Sequence, residues 1–246
     1  MLFAFDDSGA HLRQWHLEAD NRDWEDMATA NIQGKEFLVV GDTGDNLGVH
    51  RHSTLYFVQE PDIDSPANRV LTPSFTIRFR YADGPRNVEA FAITGHTVYL
   101  VSKEPVTARG PTASRLYELE LTPTAMASAS DEILVATFAG ELPMASPNLE
   151  SRLAASFAGV DLNHPTALDF DPIGNTAYLL TYRHVLRVNR SGQQSWRDAF
   201  TAGGTRIHAH QLQQAEALAV VSGQWICITS EIAPAPLWAL PIVPPS

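Results

Sequence analysis

The stretch Asp23-Trp-Glu-Asp-Met-Ala28, running on to Glu36-Phe-Leu-Val-Val-Gly-Asp42, decides the fold because the chain repeats it. The pattern returns as Asn87-Val-Glu-Ala-Phe-Ala92 with Thr97-Val-Tyr-Leu-Val-Ser-Lys103, and as His164-Pro-Thr-Ala-Leu-Asp-Phe170 with Thr176-Ala-Tyr-Leu-Leu-Thr-Tyr182. It returns once more as Gln214-Ala-Glu-Ala-Leu-Ala219 with Gln224-Trp-Ile-Cys-Ile-Thr-Ser230. Each unit is a polar lead-in, a small-apolar strand, a turn, and a second apolar strand that ends on a polar residue. A third apolar run follows every time, at Leu55-Tyr-Phe-Val58, Leu116-Tyr-Glu-Leu119, Val185-Leu-Arg-Val188 and Leu237-Trp-Ala-Leu240. A fourth strand is expected near Phe75–Phe79, Ile133–Phe138 and Ser195–Phe200.

Four antiparallel strands per unit is the arithmetic of a β-propeller, in which no blade buries both faces alone and neighbours must supply the cover. The lead-ins lie 64, 77 and 50 residues apart, so unequal insertions are expected in the loops. Leu2-Phe-Ala-Phe5 and His11–Leu17 read as the last two strands of a further blade, while the final unit supplies only three. The expectation is an all-β propeller of five blades, with six as the alternative count, forming a single domain over residues 1–246. Its ring is expected to close by N- and C-terminal strands meeting in one sheet, and the chain to begin part-way through a blade. A jelly roll is the rival on pattern alone. One short helix is expected over Asn148–Ala158, where an Asn can cap apolar residues spaced at i, i+4 and i+8.

Composition narrows the function classes. With 17 Lys+Arg against 28 Asp+Glu, the net charge of -11 repels a polyphosphate backbone, so no nucleic-acid partner is expected. Only Lys35 and Lys103 among the basic residues are lysines. No run approaches the roughly 18 apolar residues of a membrane helix, and no basic region followed by an apolar stretch opens the chain. A soluble chain with no export signal visible in these residues is expected. The lone Cys227, inside Trp225-Ile-Cys-Ile228, precludes an intrachain disulfide and reads as a small buried hydrophobe.

The strings Asp23-Trp-Glu-Asp26, Val40-Gly-Asp-Thr-Gly-Asp-Asn46 and Arg80-Tyr-Ala-Asp-Gly-Pro-Arg-Asn-Val-Glu-Ala90 resemble a family of bacterial WD40-like propellers related to the "esterase-like activity of phytase" group. The resemblance covers residues 1 to about 105 well and continues more loosely through His164–Phe170 and Gln214–Glu231. Relatives of that family carry an extra leading strand pair, so the first blade here looks truncated. The resemblance implies hydrolysis of a phosphoester or related ester.

In a propeller the start of the first strand and the end of the second share one mouth, so two rings of side chains are expected to converge there. The first ring is Glu25, Glu89, Thr166 and Glu216. Three carboxylates about one axis either raise one another's pKa or gather a hard cation, and Ca²⁺ is the natural neutraliser for Glu25, Glu89 and Glu216. The alternative is that each Glu braces a neighbouring blade through backbone N–H groups. The second ring is Asp42, Lys103, Arg183 and Glu231, with Asp45 and Tyr182 beside it. Lys103 and Arg183 suit an anionic group, with Glu89 completing a catalytic set, or else they pair with Glu89 and Glu216 in salt bridges. Asp42, Asp45, Tyr182 and Glu231 are the candidate ligand-binding residues.

Asp42-Thr-Gly-Asp-Asn-Leu-Gly48 is half of a calcium loop at best, and a turn held by Asx hydrogen bonds is the simpler reading. His50 with His52, and His208 with His210, alternate as a chelating pair would, yet lack a third ligand and read as solvated. No nucleophile elbow, phosphate-cradling loop or dinucleotide fingerprint is present. Two functions remain: a metal-assisted ester or phosphoester hydrolase, and a non-catalytic propeller that binds a small molecule or peptide at its mouth. An incomplete blade also leaves an unpaired edge through which chains can self-associate.

Overall fold

Polar lead-ins followed by alternating apolar residues give strands throughout the computed structural model, which describes residues 1–6, 8–65, 69–107, 110–126, 131–143, 161–172 and 174–242. The strands are β1 (Leu2–Phe5), β2 (His11–Leu17), β3 (Trp24–Ile32), β4 (Lys35–Asp42), β5 (Ser53–Gln59), β6 (Val70–Leu71) and β7 (Phe75–Tyr81). They continue with β8 (Val88–Thr94), β9 (Thr97–Ser102), β10 (Val106–Thr107), β11 (Gly110–Pro111), β12 (Arg115–Glu120), β13 (Ile133–Glu141) and β14 (Pro165–Phe170). The last six are β15 (Thr176–Thr181), β16 (His184–Asn189), β17 (Thr205–Ala209), β18 (Ala215–Val221), β19 (Trp225–Ser230) and β20 (Trp238–Pro241). Among the described residues one helix, α1 (Trp196–Ala202), interrupts them.

The protein is an all-β propeller. Two antiparallel blades, β3-β4-β5-β7 and β8-β9-β12-β13, join through a parallel pairing of their outer strands β7 and β13. A third blade runs β14-β15-β16-β17, a three-stranded one runs β18-β19-β20, and a small sheet runs β1-β2-β6. The leading strands β3, β8, β14 and β18 pack side by side around the centre. Apolar side chains fill the gaps between blades. Phe37, Phe57, Phe79, Phe91 and Tyr117 form the layer between the first two, where Phe57 stacks on Phe75 with ring centroids 4.5 Å apart.

Polar cross-links tie the inner strands together where apolar packing cannot set register. Asp26 is fully buried, and its Oδ2 accepts the backbone N–H of Phe91 at 3.0 Å and of Leu168 at 3.1 Å. One carboxyl thus joins β3 to both β8 and β14. Asp169 does the same between β14 and β18, its Oδ2 accepting the Val220 N–H at 2.8 Å. Hydroxyls supply two more links, Thr43 Oγ1 donating to Val88 O at 2.8 Å and Thr166 Oγ1 to Ala215 O at 2.7 Å.

Two expectations change. Ser195–Phe200 is no strand: Ser195 caps α1, its hydroxyl accepting the Asp198 N–H, and Trp196, Ala199 and Phe200 fall on one buried helical face. The fourth strand of that blade is Thr205–Ala209 instead. The N- and C-terminal strands do not meet in one sheet, because β1 pairs with β2 and β20 pairs with β19. The helix expected at Asn148–Ala158 lies outside the described residues.

Removing a buried acceptor strands its donors, at about 1–3 kcal/mol each. Asp26→Ala, which strands two inter-blade donors, is therefore expected to lose about 3 kcal/mol or more of unfolding free energy, and Asp169→Ala, which strands one, to lose less. Urea unfolding of both variants beside the wild type checks the order.

Candidate functional site

A β-bulge sits at the same point of all four inner hairpins. Between the pairs Val88↔Ser102 and Ala90↔Val101, Glu89 is the extra residue. Thr166 and Glu216 are the extra residues of β14 and β18, and in β3 the two residues Glu25 and Asp26 face Gly41 alone. A bulge breaks the strict in-and-out alternation and re-aims a side chain, here toward the channel mouth. Gly44 is part of the same arrangement, since a β-carbon there would collide with the carboxylates of Glu25 and Asp23.

The result is a cavity of about 400 Å³ lined by Asp23, Glu25, Glu89, Glu216 and Glu231, with Lys103 the one basic residue among the described walls. Lys103 Nζ donates to both Glu89 oxygens, at 2.7 and 2.8 Å, and to the Tyr182 hydroxyl at 3.0 Å. Tyr182 passes its own proton toward Glu216 Oε1 at 3.2 Å, and Asn87 Nδ2 donates to Glu89 Oε1 at 3.0 Å. Burial opposes the Lys103 charge, yet the Glu89 carboxylate outweighs it and holds the ammonium above its ordinary value.

The other carboxylates have no such cation. Burial, then the charges of Glu89 and Asp23, push Glu25 up to about 8. Burial, then the hydrogen bond with and repulsion from Glu231, push Glu216 up to about 7. Burial also raises Glu89 in spite of Lys103, and lifts Tyr182 to about 12. Glu25 and Glu216 therefore hold protons near neutral pH because burial and neighbouring carboxylates disfavour their charged forms.

The predicted residues divide. Glu25, Glu89, Glu216, Lys103, Tyr182 and Glu231 meet in the cavity. Asp42 is a brace, pairing with Arg22 at 2.8 Å and accepting the Asp23 N–H at 2.8 Å. Asp45 accepts the N–H groups of Val49 and His50 at 2.9 and 2.8 Å, the Asx-type hold of its turn, and faces an adjoining cavity. Arg183 is absent from the described walls and lies in the turn between β15 and β16, where its N–H donates to Thr181 Oγ1 at 3.3 Å. Lys103 pairs with Glu89 as the salt-bridge alternative has it. His210 is buried, its Nε2 donating to Thr181 O at 3.1 Å, and His208 reaches Pro241 O at 2.8 Å, so neither is simply solvated. Cys227 is only half-buried.

Sequence reasoning missed Asp23, Asn87 and His164. Asp23 and Asn87 stand two residues before a mouth glutamate, as Gln214 does, and His164 stands two before Thr166. That shared offset was the available signal. His164 is buried, which depresses its imidazolium, and it lines the adjoining cavity of about 550 Å³ together with Asn46, Lys103 and Glu104. Among the described residues no three His, Cys, Asp or Glu side chains form a group that could hold a metal ion.

No family model and no curated protein matches the chain. Solved structures do. A periplasmic gluconolactonase of Pseudomonas aeruginosa aligns with TM-score 0.42 and 13% identity, over 96% of this chain and 76% of that one. A 6-phosphogluconolactonase-like protein of Bacteroides uniformis gives 0.41 and 13%, over 98% of this chain and 60% of that one. The Dos1 propeller gives 0.39 and 10%, over 93% and 47%. The chain thus spans about half to three quarters of these proteins. At such scores the likeness carries nothing about chemistry, and the fold rests on the strand order itself. Among the described residues no helix is long and apolar enough to cross a membrane.

A carboxyl raised by folding stabilises the fold below its ordinary range and loses that contribution as pH climbs through the folded value. Glu25 and Glu216 are therefore expected to make the protein less heat-stable as pH rises from about 5 through 7 and 8. Melting temperatures across that range test it, and Glu25→Gln is expected to flatten the decline.

Proposed function

We propose that the channel mouth binds a small organic cation, an amine or guanidinium, and that the protein acts by binding rather than turnover. Charge is the observation that carries this reading. Five carboxylates line the cavity, and its one described basic residue, Lys103, is already engaged by Glu89. An ammonium group is evidently at home here, since Lys103 rests on the Glu89 carboxylate and the Tyr182 hydroxyl. A ligand ammonium beside Glu25, Glu216 and Glu231 would meet the same kinds of acceptor, with Trp24 in the wall offering a π face. Its arrival would release the protons that Glu25 and Glu216 hold near neutrality, so affinity would rise with pH.

The hydrolase reading, acting on a phosphoester or related ester with Ca²⁺, keeps one observation in its favour. Glu25 and Glu216 titrate near neutrality, as a general acid and base should. Against it, Glu89 is occupied by Lys103, and Arg183 stands outside the cavity that an anion clamp would need.

Calorimetric titration with 1,4-diaminobutane, methylguanidine and CaCl₂ at pH 6 and 8.5 separates the two readings. Binding of an organic cation, tighter at the higher pH and weakened about tenfold (about 1.4 kcal/mol) by Glu216→Gln, is the expected result. Ca²⁺ binding together with turnover of p-nitrophenyl phosphate or acetate would favour the hydrolase, and no binding at either pH would remove the cation reading.

A further inference from the structure

Away from the acidic mouth, the chain carries His50-Arg-His52 just ahead of β5 and Arg78-Phe-Arg80 within β7. The two strands pair antiparallel, with Thr54 opposite Arg78 and Ser53 opposite Phe79. One further step of that register brings His52 opposite Arg80. A cavity of about 240 Å³ lies there, walled by His50, Arg51, His52, Ser53, Arg80 and Tyr81. In a chain with 28 Asp+Glu against 17 Lys+Arg, its described walls hold no carboxylate, and they share no residue with the mouth.

The arginines around this cavity are neutralised. Arg22, which donates to the His52 carbonyl at 3.2 Å, pairs with Asp42 at 2.8 Å, Arg78 pairs with Asp131 at 3.2 Å, and Arg86 pairs with Asp83 at 2.8 Å. Arg51 and Arg80 differ, for neither makes an ion pair or hydrogen bond among the described residues. The nearby carboxylates are committed elsewhere, Asp45 to the N–H groups of Val49 and His50, and Asp83 to Arg86 and Arg115. His50 and His52 are half-buried. Burial, then the charges of Arg22, Arg78 and His50, lower the His52 imidazolium, with Asp42 opposing them, so its ring is a neutral N–H donor at pH 7. Tyr81 is buried in the same wall, and its hydroxyl lies beside Ser53 without a hydrogen bond to any described residue.

We propose that this pocket binds the phosphate group of a small phosphate monoester, carried by a soluble molecule or by a lipid headgroup. Two unpaired guanidinium forks and two imidazoles line one small space, and guanidinium matches phosphate oxygens with paired N–H donors. A carboxylate brings two oxygens and one charge. A phosphate monoester brings three terminal oxygens and nearly two charges, which answers both arginines at once. The size agrees, since about 240 Å³ falls below the roughly 300 Å³ at which pockets for drug-sized ligands begin, and suits a phosphoryl group on a short stem. The overall charge of -11 does not forbid an anion here, because salt screens exposed charges beyond about 8 Å at physiological ionic strength and leaves the local cluster in control. A bound dianion would also relieve the repulsion between Arg51 and Arg80.

Calorimetric titration with inorganic phosphate and with glycerol 3-phosphate, beside sodium acetate at matched ionic strength, tests the soluble arm. Co-sedimentation with phosphatidylcholine vesicles, with and without phosphatidate, tests the lipid arm. One phosphate per protein is expected, weakened at least tenfold by Arg51→Gln and by Arg80→Gln. Both positions are exposed and unpaired, so neither variant is expected to move the melting temperature of the phosphate-free protein. Binding of the soluble phosphates assigns the pocket to a soluble monoester. Binding of phosphatidate vesicles alone, lost in Arg80→Gln, assigns it to a lipid headgroup. No binding in either arm overturns the proposal, as does binding that acetate matches or that both variants leave intact.

Discussion

The carboxyl of Asp26 holds the centre of the ring. From its place in β3 its Oδ2 joins three inner strands, accepting the backbone N–H groups of Phe91 in β8 and Leu168 in β14. Apolar layers between blades are tolerant of sliding, because dispersion and burial have no direction. Directional bonds from a buried carboxyl do not slide. Burial holds this carboxyl well above its ordinary range, and the surrounding backbone donors limit that rise. The four bulges converge on one mouth because the strands that carry them are locked in this way.

That convergence creates the chemistry. A bulge in a hairpin is a local defect, but repeated four times about an axis it becomes a ring of re-aimed side chains. In one blade the residue is Thr166, whose hydroxyl serves as a brace. In the other three it is a glutamate, and among the described residues these glutamates are reached by the side chains of Lys103, Asn87 and Tyr182. Proton uptake, the Lys103 pair and an incoming cation are competing answers to the same excess of negative charge.

Much of this was legible in the sequence because period-two alternation and turn chemistry repeat, and four imperfect copies average out local noise. Glu25, Glu89 and Glu216 were found from equivalence alone. Asp26 was invisible by that route, since the residues at its ladder position elsewhere are apolar and its partners lie 65 and 142 residues away. Arg183 stands with Tyr182 in the turn between β15 and β16, where strand alternation no longer says which way a side chain faces. The helix at Trp196–Ala202 reads as a strand in the sequence because the six residues Ser195–Phe200 are too few for periodicity to speak, although Ser195 followed by Asp198 is a capping signal. The terminal strands do not close the ring in one sheet because β1 pairs with β2 and β20 with β19, in different sheets.

Carbon-detected NMR titration of the glutamate side-chain carboxyls tests the central claim, an acidic mouth short of positive charge, most directly. The account predicts two carboxyls that titrate near 8 and 7, that vanish in turn in Glu25→Gln and Glu216→Gln, and that fall when 1,4-diaminobutane is added. If every glutamate titrates in the ordinary range near 4.5, the mouth carries no excess charge to satisfy and the account is wrong.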